Sequence, residues 1–138
     1  MKTAALVMWV LTAGGGLVML GIWLSGGGFR RGADVANTGS RFQPQLIFSH
    51  FGLAALGLLL WLTFVLTDTA ALAWLAAALL LPVAGLGFAM LAKWLGGRAS
   101  AERENQPEQR FPTVVVVAHG LAAVTTLTLV LIAAVKAL

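Results

Sequence analysis

The chain has no cysteine. That absence removes disulfides, iron–sulfur clusters, thiolate metal sites and covalently attached c-type haem. Charge is nearly as scarce: Asp, Glu, Lys and Arg make up 10% of 138 residues and hydrophobic types 59%. Soluble domains carry roughly 25% and 45–50%. A soluble domain this small has too much surface to cover with so few charges, which excludes an ordinary cytoplasmic enzyme and any disordered or fibrous chain. Mean hydropathy is +0.91. The net charge of +4 therefore reads as membrane flanks and not as a nucleic-acid surface. Catalytic signatures are missing too: the glycine runs follow no strand and have no Lys-Ser/Thr partner, so they are neither phosphate loops nor dinucleotide fingerprints. Whether the protein is an enzyme stays open at this point.

What is present is four uncharged apolar stretches, 3–24, 46–66, 70–92 and 114–135. Each matches the roughly 20 residues a helix needs to cross the hydrocarbon core. The expected fold is all-α, a four-transmembrane-helix up-down bundle forming a single membrane domain over 1–138. The first stretch is too long for a signal-peptide core and lacks a small-residue cleavage site, so it reads as a retained helix. Segment 25–45 is polar and glycine-rich, and 93–112 is of mixed charge, suited to the headgroup level. Asp68 and Thr69 are placed to cap the third helix. Pro44 and Pro112 precede spans, where a missing N–H costs nothing. Pro82 lies inside the third span and predicts a kink. The five tryptophans lie mostly toward span ends and read as interfacial anchors.

The Lys and Arg distribution sets an expected orientation. The two longer loops hold Arg30, Arg31, Arg41, Lys93, Arg98, Arg103 and Arg110, while the opposite face holds Lys2 and Lys136. Positive-inside reasoning puts those loops in the cytoplasm and both termini outside. The excess of Arg over Lys, with abundant Ala, Leu, Gly and Val, suggests a GC-rich bacterium and hence a multi-pass protein of its cell (inner) membrane.

An internal repeat carries the main clue. Arg41-Phe42 stands before His50 as Arg110-Phe111 stands before His119, all at an offset of 69. Gly16-Leu17 and Gly85-Leu86 share that offset, and Trp23-Leu24 and Trp94-Leu95 are displaced by two more. Two duplicated helical hairpins, 1–69 and 70–138, follow as the expectation.

His50 and His119 are the only histidines, and they enter parallel spans at matching depth, roughly 6–8 Å below the start of each apolar run. Ionisable residues inside spans are rare, costly and usually functional. Two neutral imidazoles with no acid or thiolate nearby suit haem b held between facing helices, with His50 and His119 as axial ligands to the metal. Gly14-Gly15-Gly16, Gly21, Gly85, Gly87 and Gly52, with Gly15 and Gly85 foremost, would then supply small surfaces that clear room for the ring, and Arg41 and Arg110 would meet its propionates. Each has a plainer reading as well: helix packing for the glycines, topology anchoring for the arginines, and a bond to a neighbouring helix for the histidines. Copper is the alternative ligand, since Met19 and Met90 lie near the histidine depth and thioethers with imidazoles suit Cu(I), although Met in an apolar helix commonly fills core space. A proton-coupled transporter is disfavoured, because no Asp or Glu lies in any span.

The Arg110-Phe111-Pro112 lead-in, the stretch Ala118-His119-Gly120-Leu121-Ala122-Ala123-Val124 and the Leu/Val-rich exit resemble a family of small four-helix bacterial membrane proteins. That resemblance implies the fold and no activity. In architecture the chain is also similar to bis-histidine b-type membrane cytochromes. It departs from the members that hold two haems on four histidines, so only one haem is implied and transfer across the full bilayer is not. The expected function is a single-haem membrane cytochrome that exchanges electrons near the cytoplasmic face with quinone or a membrane redox partner, in a lipid bilayer and without nucleic acid. The alternative is an accessory or structural membrane subunit with no cofactor. A homo- or hetero-oligomer is compatible with either.

Overall fold

A computed structural model describes residues 1–29, 40–99 and 106–137. Four helices account for nearly all of them: α1 (Lys2–Ser25), α2 (Pro44–Thr67), α3 (Ala70–Arg98) and α4 (Thr113–Val135), with a short 3-10 helix at Pro107–Arg110 ahead of α4. There is no strand among the described residues. All four helices are long and apolar enough to cross a membrane, and most of each faces outward. Leu11, Leu59, Leu66, Phe88, Val114 and Leu121 are each more than half exposed. A water-soluble bundle would turn such side chains inward, so this surface is made for lipid.

Local chemistry sets the helix ends. Pro44 occupies the first position of α2. Asp68 ends α2 in the left-handed conformation, φ 55°, and its N–H closes the last turn on the Phe64 carbonyl. Asp68 and Thr69 make no side-chain cap on α3, contrary to the expectation from sequence. The Asp68 carboxylate instead pairs with Lys2, tying the α2–α3 turn to the start of α1. The helix α3 runs unbroken through Pro82 and continues six residues past the apolar stretch, to Arg98. Gly27, at φ 84°, turns the chain after α1, and Gly28 then lies so close to the Trp23 indole that a Cβ there would collide with it.

The bundle consists of two tight pairs. One is α2 with α3 and the other is α1 with α4; α1–α2 and α3–α4 meet over much shorter stretches. The core divides into two clusters along the axis. At the loop end lie Trp23, Trp94, Phe42, Phe111 and Ile47, with Met19, Met90 and Val116 against them. These form pairs by repeat position: 23 with 94 and 19 with 90 at an offset of 71, 42 with 111 and 47 with 116 at 69. Phe42 and Phe111 meet each other with ring centroids 6.1 Å apart.

At the turn end the symmetry breaks. Trp9, Trp61 and Phe64 fill that core, where the repeat positions hold Leu80, Val130 and Ala133. Gly57 makes room for the Trp9 ring, which would lie 3.0 Å from a Cβ there. Four of the five tryptophans (Trp9, Trp23, Trp61 and Trp94) are thus buried core residues. Only Trp74 faces out in the manner of an interfacial anchor.

Candidate functional site: a facing histidine pair

His50 is the seventh residue of α2 and His119 the seventh of α4, each about 9 Å below the start of its helix. Their rings face one another across the bundle, with centroids 6.4 Å apart and planes inclined by 57°. Each imidazole is fixed by its own tight pair. His50 Nδ1 lies 2.9 Å from the Val83 carbonyl on α3, and His119 Nδ1 lies 2.9 Å from the Thr12 carbonyl on α1. A carbonyl only accepts, so each Nδ1 carries the proton, and in the neutral ring the lone pair is left on Nε2. Both histidines therefore present the same tautomer. A ring N–H donated to a backbone carbonyl is the usual outer support of a metal-ligating histidine.

Glycine makes this reach possible. In a helix the carbonyl of residue i points at the N–H of residue i+4, so a side chain bonding that carbonyl must pass over residue i+4. Those residues are Gly16, four after Thr12, and Gly87, four after Val83. A Cβ at either would lie 3.3 Å from the histidine Cε1 and 3.8 Å from Nδ1, the same in both halves. Gly15 also borders His119, with Cβ and Nδ1 of the imidazole at 3.4 Å. Thr12 is itself held: its hydroxyl donates to Met8 O at 2.8 Å and accepts from the buried Thr126 hydroxyl at 3.0 Å.

Of the residues singled out from sequence, the fold brings together His50, His119, Gly15, Gly16 and Gly87. It does not bring Gly85 to them. Gly85 is exposed with nothing within 4 Å, as is Gly14, and its place beside the imidazole is taken by Gly87. The reason is register: the odd-numbered helices repeat at 71, as Trp23 and Trp94 do, and not at the 69 of the histidine helices. Arg41 lies over Gly96, with Nη1 3.7 Å from a Cβ position there, about 13 Å along α3 from Gly87. Arg110 is exposed at the end of the 3-10 helix. Met19 and Met90 pack on the aromatic cluster. Among the described residues no group of three or more His, Cys, Asp or Glu converges on one point, so the pair stands without acidic company. Arg30, Arg31 and Arg103 lie outside the described residues.

Sequence reasoning missed the polar lid above the pair. Glu108 is completely buried. Its carboxylate accepts from the Ser40 hydroxyl at 2.8 Å and from the Arg41 N–H at 2.6 Å. Ser40 in turn accepts from Trp23 Nε1 at 2.8 Å. In the other half Gln109, the repeat partner of Ser40, donates to the Trp94 carbonyl at 3.1 Å. Glu108 thereby stitches the α3–α4 connection to the chain entering α2, while Gln109 ties its own connection back to the end of α3. Comparison with protein families, curated proteins and solved structures gives no match for the chain.

Proposed function

We propose that the protein is a membrane b-type cytochrome holding one haem between His50 and His119. The observation that carries this reading is the geometry of the pair. With metal–imidazole bonds of about 2.0–2.1 Å, one metal between the two rings would fit a centroid separation of about 6 Å, and His50 and His119 would be the residues that hold it. The observed separation is 6.4 Å. A tetrahedral site would draw the rings closer, and among the described residues no Cys, Asp or Glu joins the two histidines as a further ligand.

The remaining features fit the same group. Each Nδ1–H is tied within its own helix pair, neither Nε2 has a hydrogen bond among the described residues, and the sparse contact between the α2/α3 and α1/α4 layers suits a planar ligand between them. Gly15, Gly16 and Gly87 keep the neighbouring backbones bare. Bound haem supplies one-electron chemistry, and the chain supplies its orientation and an apolar surround. Because α2 and α4 start at the loop end, the haem lies nearer that face, where quinone or a membrane partner would exchange electrons. The excess of Lys and Arg on the loops points to a cytoplasmic location for that face, in a bacterial inner membrane with both termini outside.

The deciding experiment is the visible spectrum of protein purified after expression with ample haem supply. A low-spin spectrum with a sharp pair of reduced bands and no response to carbon monoxide is expected. Protein that purifies colourless, and in which added haemin gives no histidine-dependent spectrum, overturns the cytochrome reading in favour of an accessory subunit.

A further inference from the structure

A recess opens on the outer side of the loop end, where the chain entering α2 meets the last turns of α3. Its volume is about 560 Å³ and its lining is Arg41, Ala92, Lys93 and Gly96. The Arg41 guanidinium lies over Gly96, and Ala92 also lines the recess. Among the described residues neither the guanidinium nor the Lys93 ammonium has a hydrogen bond or ion pair. The described carboxylates are engaged elsewhere: Glu108 with Ser40 and the Arg41 N–H, and Asp68 with Lys2 at the opposite end.

Depth identifies the environment. Lys93 stands 23 residues along α3 from Ala70, about 34 Å, and the hydrocarbon core is about 30 Å thick. The recess is therefore at the level of lipid phosphates. One turn before Ala92 on α3, Phe88 is 65% exposed, an apolar side chain on the membrane side of the recess.

We propose that this recess binds the phosphodiester headgroup of an anionic phospholipid, with Arg41 and Lys93 as its charged contacts and Phe88 against an acyl chain. A guanidinium offers a planar fork to phosphate oxygens and an ammonium a point charge. Basic pockets beside membrane helices bind anionic headgroups in this way. A zwitterionic lipid brings its own ammonium and gains less from the two cations. A free phosphate lacks the chain that Phe88 would hold.

The test uses the full chain in an uncharged detergent, titrated with phosphatidylglycerol or phosphatidylcholine, with bound lipid counted by native mass spectrometry. Phosphatidylglycerol is expected to be retained roughly tenfold or more tightly. The Arg41→Gln/Lys93→Gln double variant should lose that preference, while Lys136→Gln, at the other end of the bundle, should keep it. If the double variant loses helix by circular dichroism, Lys93→Gln alone, at an exposed position, should still cut the preference roughly fivefold. Equal retention of the two lipids, or a preference that survives these substitutions, overturns the proposal. So does displacement of the lipid by millimolar inorganic phosphate, which would assign the recess to a free anion.

Discussion

Gly16 and Gly87 occupy the same place in the two halves of the bundle. A Cβ at either would stand 3.3 Å from the Cε1 of a histidine, and each lies four residues beyond the carbonyl that holds that histidine. The imidazole therefore rests on bare backbone. The constraint that keeps the residue glycine is the side chain above it, since neither position has a positive φ.

Alanine at these positions should consequently separate packing from propensity. Gly87→Ala and Gly16→Ala push on an imidazole fixed by a 2.9 Å bond, and should each lower stability by about 1 kcal/mol as that bond lengthens. Gly85→Ala and Gly14→Ala meet open space and should be neutral or stabilising by up to about 1 kcal/mol from helix propensity. Thermal unfolding in detergent ranks the four. A Gly85 variant that loses as much as the Gly87 variant would mean that Gly85 too packs against the imidazole, against a 71-residue register.

The same glycines mark how far the sequence could be read. The spans were legible because charge is absent from four stretches of the right length, and the histidine pair because only two histidines exist at repeat positions. Gly87 stood among the glycines legible from sequence, and its pairing with Gly16 was within reach too, since Trp23 and Trp94 already carried the 71-residue offset that links the two. The inward turn of Trp9, Trp23, Trp61 and Trp94 was not. Position along a span says how deep a side chain lies, but its direction depends on helix rotation, and helices apolar on every side give no signal for rotation. Glu108 was hidden for another reason. A glutamate in a mixed-charge loop reads as solvated, and only the fold of the 3-10 helix onto Ser40 and Arg41 buries it.

Glu108 should accordingly matter to stability more than a loop glutamate ordinarily does. Glu108→Ala strands the Arg41 N–H in a closed site and leaves the Ser40 hydroxyl only the Phe42 carbonyl at 3.2 Å, so it should cost about 2–3 kcal/mol. Glu108→Gln keeps the volume and one acceptor for the Arg41 N–H, so it should cost about 1 kcal/mol. The part of the tryptophan fluorescence change that disappears in a Trp23→Phe background offers a local readout, because Trp23 Nε1–H bonds to Ser40. An Ala variant as stable as the parent would mean that the lid is not a structural latch.

Orientation is tested with single cysteines, which the native chain lacks. With the loops cytoplasmic, an impermeant thiol reagent on intact cells should label Thr69→Cys in the α2–α3 turn and spare Val35→Cys until the membrane is opened. The reverse pattern would place the histidine pair near the outer face, and with it any exchange of electrons.

The two histidines should be individually necessary and jointly sufficient for the axial ligation. His50→Ala or His119→Ala leaves one imidazole and an open position, so a low-spin spectrum should give way to a high-spin, carbon-monoxide-reactive one. Free imidazole added to either variant should restore the low-spin form, an outcome that a merely structural role for the rings would not produce. Met19→Leu and Met90→Leu should leave the spectrum unchanged, because both thioethers pack on the Trp and Phe cluster. Loss of a bound metal in those variants, with no porphyrin spectrum in the parent, would instead favour a copper site. Acid should release the haem, since protonation of Nε2 removes the ligating lone pair. Alanine at His50 and at His119 should move that release to higher pH by a similar amount, because each ring is held by the same tautomer, the same kind of carbonyl and the same glycine. A large inequality between the two variants would show that the broken symmetry of the turn-end core, Trp9, Trp61 and Phe64 against Leu80, Val130 and Ala133, reaches up the bundle to the site.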